Sequence, residues 1–130
     1  MKHIGIEFPK LGVARQFELP AAPEPGPTEM VTRTLFSGVT NGTERHSLMA
    51  DCGSRFPARA GYQHVSVIEA VGRRVDQFSA GETVFLGNHG GHRGWHLVDL
   101  ASTNERERLC IKLPAEIEHE FCALFGIAGV

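Results

Sequence analysis

The sequence lacks the features that mark several large classes of protein. It has no excess of basic residues, because 13 Lys and Arg stand against 15 Asp and Glu and the formal net charge is −2. A nucleic-acid-binding surface, which carries clustered positive charge, is therefore not predicted. No apolar run has the length of a membrane-spanning helix, and Glu7 stands where a signal peptide is apolar. We expect a soluble, cytoplasmic protein with no membrane or nucleic-acid partner.

Cysteine is scarce and widely spaced. The chain has three cysteines, Cys52, Cys110 and Cys122, which is an odd number and includes no Cys-x-x-Cys pair. This pattern differs from both a disulfide framework and a cysteine-based zinc site. Free thiols are predicted.

The glycine motif of a dinucleotide-binding domain is also missing. Such a domain has a strand followed by Gly-x-Gly-x-x-Gly at the start of a helix, whose amides hold the pyrophosphate. Residues 87–92 are the glycine-rich candidate, but their spacing differs and the residues after them have the pattern of a strand. We therefore predict no nucleotide site in this chain.

Short apolar segments separated by 15 glycines and seven prolines favour turns and short strands over long helices. The four prolines in residues 20–27 predict an extended surface crossing there. Strands are predicted at residues 2–8, 13–19, 29–39, 61–72, 83–86, 95–100 and 109–113. In the third of these, one side is predicted to carry Met30, Thr32, Thr34 and Phe36. The strand at 61–72 is predicted to be central.

Two helices are predicted. The first covers residues 43–50, with Thr43 as its N-cap. The second covers residues 114–125, because it has a proline start and early acids. Its predicted buried face consists of Ile117, Phe121, Leu124 and Phe125.

Three segments, in this order and spacing, resemble motifs of the medium-chain dehydrogenases/reductases, the superfamily of the zinc-type alcohol dehydrogenases. They are residues 37–44 (Ser-Gly-Val-Thr-Asn-Gly-Thr-Glu), residues 57–67 (Pro-Ala-Arg-Ala-Gly-Tyr-Gln-His-Val-Ser-Val), and residues 71–85 (Val-Gly-Arg-Arg-Val-Asp-Gln-Phe-Ser-Ala-Gly-Glu-Thr-Val-Phe). The third is nearly complete. The resemblance implies a mainly β fold, a GroES-like partly open β-barrel with one or two short helices.

The resemblance also implies a domain organisation. Residues 1–130 correspond to the GroES-like substrate, or catalytic, domain, and residues 115–130 correspond to the start of a helix that leads to a Rossmann domain in the family. The apolar ending, Gly-Ile-Ala-Gly-Val, agrees with such a continuation. We expect the catalytic part of an oxidoreductase that uses NAD(P) and a small carbonyl or alcohol substrate. Without its cofactor-binding domain, the chain is expected to be inactive.

The family's zinc ligands are altered in this sequence. Thr40 stands where the family has a Cys ligand, Tyr62 where it has a His ligand, and Gln63 at the neighbouring Glu. A hydroxyl, a phenol and an amide do not replace thiolate and imidazole as ligands of Zn²⁺. The resemblance therefore implies a member without catalytic zinc.

Thr43 and His46 have the spacing of the family's proton path, in which a hydroxyl passes the substrate proton to an imidazole. They are our candidate catalytic residues. The alternative is that Thr43 caps a helix and His46 is a surface residue.

Zinc-lacking relatives hold a carbonyl through hydrogen bonds from Tyr, Asn or Gln side chains. By this resemblance the candidate substrate-binding residues are Thr40, Asn41, Tyr62, Gln63 and Trp95. For Tyr62 the alternative is an aromatic side chain that simply packs beside the strand.

Two further hypotheses come from the residues themselves. His89, His92 and His96 could gather around a transition metal, although a surface loop at the rim of the cleft is the alternative. The apolar face of residues 121–130 could instead make the chain a stand-alone binding or assembly module that associates with itself or a partner.

Overall fold

The computed structural model describes residues 2–51, 53, 55–87 and 90–125, which form seven strands and two helices. The strands are β1 (His3–Lys10), β2 (Val13–Leu19), β3 (Glu29–Ser37), β4 (Gln63–Val71), β5 (Thr83–Gly87), β6 (Trp95–Asp99) and β7 (Cys110–Lys112). The helices are α1 (Asn41–Met49) and α2 (His119–Phe125).

The strands form two antiparallel sheets. β1 and β2 make a hairpin, and the other strands make a five-stranded sheet in the order β6-β3-β4-β5-β7. β4 lies at the centre of that sheet, as predicted for residues 61–72. The mainly β class with two short helices is confirmed.

Backbone hydrogen bonds hold the hairpin across the segment that precedes β6. The amide of Ile6 donates to the carbonyl of His92 at 2.9 Å, and the amide of Gly94 donates to the carbonyl of Ile4 at 2.8 Å. At the other end of β1, Phe8 and Ala58 form an isolated bridge. These bonds curl the two sheets into a partly open barrel.

The core lies between the central strands and the segment after β4. Its fully buried members are Met30, Ile68, Val84, Leu86 and Val98. Phe78 packs against them, which is the anchoring role expected of an apolar residue in that turn. Burial of this apolar area is the main favourable term for the fold.

Gly72 allows the proline-rich crossing of residues 20–27 to reach the end of β4. A Cβ atom at Gly72 would lie 1.9 Å from the carbonyl oxygen of Gly26, so only glycine fits there. The crossing contains no strand, as the prolines predict.

A β-bulge in β3 changes which side chains face the barrel interior. The register between β3 and β4 shifts between Thr34 and Phe36, so Leu35 is the extra residue. The prediction that Phe36 shares a side with Thr34 is therefore wrong. Phe36 is partly exposed, and Ser37 takes the inward position instead.

Helix α1 begins earlier than predicted. Its N-cap is Thr40, whereas Thr43 lies inside the helix, so the prediction of Thr43 as the cap is wrong. The reason is the carboxylate of Glu44, whose Oε1 accepts the amide hydrogen of Thr40 at 2.9 Å. An acid in the first turn that reaches back to the cap stabilises this helix start.

Helix α2 begins at His119, not at Pro114, because the preceding residues make only turns. The amide of Ile117 bonds to the carbonyl of Pro114, and that of Phe121 bonds to the carbonyl of Glu118, both three residues apart. The predicted start is therefore wrong by one turn.

The predicted buried face of this helix is also wrong. Ile117, Phe121 and Leu124 are 43%, 50% and 61% exposed, and nothing is described of the side chain of Phe125. The inner face instead carries Ala123, because a Cβ atom at Gly38 would lie 2.0 Å from the carbonyl oxygen of Ala123. At so close an approach of two backbones, only small side chains fit.

Cys110 and Cys122 are free thiols, as predicted, and Cys52 lies outside the described residues. Burial raises the pKa of Cys110 to about 12, with a further contribution from Glu82, so its thiol stays protonated near neutrality. Neither α1 nor α2, the helices of the described residues, is long and apolar enough to cross a membrane.

Candidate functional site

A cavity of about 390 Å³ lies between β1 and α1. Most of its wall is apolar, and the polar groups are concentrated on the side of α1. The lining residues are Ile6, Phe8, Val39, Thr40, Asn41, Glu44, Arg45, Leu48 and His92. An apolar cavity with a few convergent polar groups is the usual form of a small-molecule site.

The polar side of the cavity is built on a hydrogen bond between Glu44 and His92. Nε2 of His92 lies 2.7 Å from Oε2 of Glu44, and both side chains are buried. The other carboxylate oxygen of Glu44 is held by the amide of Thr40. Glu44 is therefore fixed from two directions and orients the ring of His92.

Ser37 continues this network into the barrel. Its hydroxyl is hydrogen-bonded to Nδ1 of His92 by a short contact and to Nδ1 of His64 at 2.8 Å. The β-bulge at Leu35 turns Ser37 inward, and His64 is the second residue of β4. Glu44, His92, Ser37 and His64 thus form one continuous chain, which we call the buried polar chain.

Gly61 makes room for the ring of His92. Its φ of +108° is rarely adopted by other residues, and a Cβ atom there would lie 2.7 Å from the ring. The backbone beside it also fixes His92, whose amide donates to the carbonyl of Ala60 at 2.8 Å. The glycine that brackets β4 therefore sets the position of a functional side chain.

The donors and acceptors of the buried polar chain determine its protonation patterns. An ionised carboxylate only accepts hydrogen bonds, so Nε2 of His92 donates to Glu44. When His92 is neutral, its Nδ1 accepts from the hydroxyl of Ser37. When His92 is charged, its Nδ1 donates, and the hydroxyl of Ser37 turns toward His64.

The predicted substrate residues fall in different places. Thr40 and Asn41 line the cavity at the start of α1. Gln63 is buried, with its carbonyl oxygen accepting from the amide of Gly38 at 3.0 Å, and Tyr62 just before it is partly buried. These two residues are not among those that line the cavity.

Trp95 lies on another side of the barrel. Its indole N–H donates to the carbonyl of Pro20 at 2.9 Å, and the guanidinium carbon of Arg93 lies 4.7 Å from its ring centroid. It lines a separate depression that also includes His96.

The predicted proton path, Thr43 and His46, lies on the exposed side of α1. Nδ1 of His46 is 3.3 Å from a carboxylate oxygen of Asp51. Neither residue lines the cavity.

The histidines predicted at the rim of the cleft lie in the interior. His92 and His96 are both buried, the latter with its ring centroid 4.5 Å from that of His64, whereas His89 lies outside the described residues. The alternative of a surface loop is wrong for His92 and His96. In the part of the chain that the structure describes, no group of three or more His, Cys, Asp or Glu side chains is arranged to hold a metal ion.

Sequence reasoning missed Ser37, Glu44 and His64 as site residues. One signal was available for His64, a polar residue in a strand predicted to be central, where burial requires a hydrogen-bond partner. Ser37 had no such signal, since its inward position depends on the bulge.

Comparison with known proteins was made by sequence and by structure. No family model and no curated protein matches the sequence. By structure the chain is similar to quinone oxidoreductase of Pseudomonas syringae pv. tomato DC3000, at 22% identity and a TM-score of 0.69, over 95% of this chain and 37% of the other.

Two further solved structures are similar in the same way. Escherichia coli quinone oxidoreductase in complex with NADPH matches at 20% identity and a TM-score of 0.67, over 92% of this chain and 36% of the other. Helicobacter pylori CAD in complex with NADP(H) matches at 17% identity and a TM-score of 0.78, over 99% and 46%.

The chain therefore has the fold of the GroES-like N-terminal domain of the medium-chain dehydrogenases/reductases, as predicted. It spans less than half the length of each of these three proteins. At these identities the likeness establishes the fold alone.

We predict that Gly61→Ala destabilises the protein more than Gly12→Ala. Both glycines have positive φ, but a Cβ atom at Gly12 meets nothing within 4 Å, whereas one at Gly61 meets His92. Gly12→Ala should therefore lose about 1–2 kcal/mol from backbone strain, and Gly61→Ala about 1–3 kcal/mol more from overpacking. Urea unfolding followed by fluorescence of the single tryptophan measures both. Equal losses would contradict the placement of His92 against Gly61.

Proposed function

We propose that the chain is the substrate-binding domain of an NAD(P)-dependent oxidoreductase that acts on small carbonyl compounds or alcohols. The cavity between β1 and α1 is the proposed substrate site. The observation that carries the proposal is an apolar cavity with polar groups at one end, in a domain with the fold of the N-terminal part of quinone oxidoreductases.

The shape and chemistry of the cavity support this assignment. Ile6, Phe8, Val39 and Leu48 offer an apolar surface for a hydrocarbon body. Thr40 and Asn41 stand beside it with a hydroxyl and an amide. The hydroxyl of Thr40 donates to Oε1 of Glu44 at 3.4 Å, and the side-chain amide of Asn41 is the proposed donor to a carbonyl oxygen. A substrate with one oxygen atom and an apolar body therefore matches a cavity that has an apolar wall and polar groups at one end.

The described residues do not fit a dinucleotide. Strand β3 leads into α1 through the loop Gly-Val-Thr of residues 38–40, and the first turn of the helix carries the carboxylate of Glu44. An acid at that place repels a phosphate, and the Gly-x-Gly-x-x-Gly spacing is absent. The cofactor is therefore proposed to be held by another domain.

The donor set at the family's zinc position does not fit that metal either. Thr40, Tyr62 and Gln63 offer a hydroxyl, a phenol and an amide, and Zn²⁺ prefers thiolate, imidazole or carboxylate. We propose a site that works through hydrogen bonds alone at these positions.

Binding of an unreactive aryl ketone tests the assignment. We expect acetophenone to shift the backbone amide signals of residues 6–8 and 39–48 in two-dimensional NMR spectra, with saturation in the millimolar range. Leu48→Phe fills the cavity and should weaken binding about tenfold, a loss of about 1.4 kcal/mol. Leu97→Phe, at an exposed position of β6, is the matched control and should bind normally. Absence of saturable shifts, or shifts confined to other faces, would contradict the proposal.

A second candidate function is self-association through α2. Phe121 and Leu124, three residues apart on α2, are 50% and 61% exposed, and large exposed apolar side chains of this kind mark contact surfaces. A dimer with two-fold symmetry would bury both copies of this face.

Light scattering tests the dimer. We expect twice the mass of the chain at micromolar concentration and the single mass for Leu124→Asp, because a carboxylate in an apolar interface is costly. Leu11→Asp, at the exposed tip of the hairpin, is the control and should leave the dimer intact. A monomeric wild-type chain would contradict this candidate.

A further inference from the structure

The buried polar chain is costly to build and is not explained by substrate binding alone. Four polar side chains from α1, the segment before β6, β3 and β4 meet in the interior, where each polar group must find a partner. They are linked by consecutive hydrogen bonds. Only one end of the buried polar chain, at Glu44 and His92, lies in the cavity wall.

We propose that Glu44, His92, Ser37 and His64 form a proton relay that carries one proton between the barrel interior and the cavity wall. The identity of the ligand at the cavity end rests on the proposed function, but the transfer between the histidines does not.

The proton transfer balances within the buried polar chain. It begins with His64 charged and His92 neutral. Nδ1 of His64 gives its proton to the oxygen of Ser37, and the hydroxyl proton of Ser37 passes to Nδ1 of His92. The N–H bond at His64 breaks, the N–H bond at His92 forms, and the hydroxyl is restored in its reversed orientation. One positive charge moves from His64 to His92, beside Glu44.

Ser37 connects His64 to His92 and so makes a proton relay between them possible. A hydroxyl both donates and accepts, so it links the Nδ1 atoms of His64 and His92 by a donor–acceptor path. The rings of His64 and His92 have centroids 6.1 Å apart and nearly perpendicular planes. The hydroxyl of Ser37, which is hydrogen-bonded to both Nδ1 atoms, bridges the two rings.

The two ends of the relay have different surroundings. At the cavity end, Glu44 and His92 stand beside Thr40 and Asn41, where an oxygen of the ligand is proposed to lie. At the inner end, the ring of His96 lies against that of His64, and Ser66 adds a buried hydroxyl two residues along the same face of β4. The inner end is buried, because the exposed fractions of His64, His96 and Ser66 are 0%, 3% and 0%.

Ionisable groups of the described residues lie next to both ends of the relay. Arg45 lines the cavity beside Glu44, and His96 faces His64. Arg93 follows His92, and the pKa of its guanidinium is lowered by burial and by the charge of Arg59. A guanidinium remains charged throughout the neutral range, so the proton that moves passes between the two histidines through Ser37.

Titration of the imidazole nitrogens tests the relay without any assay of activity. Nitrogen-15 shifts of His64 and His92 are followed from about pH 5 to 8, where imidazoles titrate. In the wild-type chain each ring should show a second inflection at the titration of the other, because the shared hydroxyl couples them. Ser37→Thr keeps a hydroxyl and should keep the second inflection. Ser37→Ala should abolish it, with an unchanged pattern of backbone amide signals as the control for folding.

Two results would overturn the relay. One is a wild-type titration in which the two rings show no shared inflection. The other is a shared inflection that survives in Ser37→Ala with the same amplitude, since the coupling would then be through space. Acetophenone binding is measured on the wild-type chain in parallel. Absence of binding there would count against the proposed function and not the relay, and a Ser37-independent titration with normal binding would count against the relay alone.

Discussion

The position of His92 holds the two sheets and α1 in one arrangement. Its backbone amide bonds to Ala60 ahead of β4, and its carbonyl accepts from Ile6 of β1. Its ring reaches Glu44 of α1 on one side and Ser37 of β3 on the other. One residue therefore connects the hairpin, the segment ahead of the central strand, the helix and β3 of the larger sheet. The ring is buried only because Gly61 leaves the space that a Cβ atom would occupy.

These polar groups can be buried without a large energetic cost only when each has a hydrogen-bond partner. A buried imidazole or carboxylate without a partner is strongly unfavourable, whereas a fully bonded network gives a unique arrangement. Here each of Glu44, His92 and Ser37 has its partners within hydrogen-bonding distance. The apolar core around Ile68 and Leu86 lies on the same face of the sheet as His64, because His64 pairs with Leu86 and Ile68 is four residues further along β4. The buried polar chain therefore borders the core, whose apolar burial supplies the stability that such a site requires.

Much of the fold could be predicted from the sequence because it depends on local chemistry. The β-branched residues after Gly61, the prolines of the crossing and the turn around Phe78 each specify a backbone shape within a few residues. The resemblance of three motifs to those of a known family predicts the whole barrel fold, and the structural comparisons confirm this prediction. Helix ends were less predictable. The start of α1 depends on the hydrogen bond from the amide of Thr40 to Glu44. The start of α2 depends on turns ahead of it, in which an amide bonds to the carbonyl three residues earlier.

The candidate site was predictable only in part. Thr40 and Asn41 line the cavity, because they belong to a motif that positions them. The inward position of Ser37 depends on a one-residue register shift, which no composition or periodicity reveals. His92 reaches Glu44 across 48 positions of sequence, so their pairing is a property of the closed barrel. The prediction that Phe121 and Leu124 are buried is wrong, because the sequence of an apolar helix face does not reveal whether other residues pack against it.

The central claim is that the ring of His92 lies inside the barrel between Gly61, Ser37 and Glu44. Proton–proton nuclear Overhauser spectra of the labelled chain measure this directly. The account predicts cross-peaks from the ring protons of His92 to the α-protons of Gly61 and the β-protons of Ser37, with a ring N–H protected from exchange with water. Rapid exchange of both ring N–H groups, with no cross-peak to Gly61, would place the ring in solvent and contradict the account.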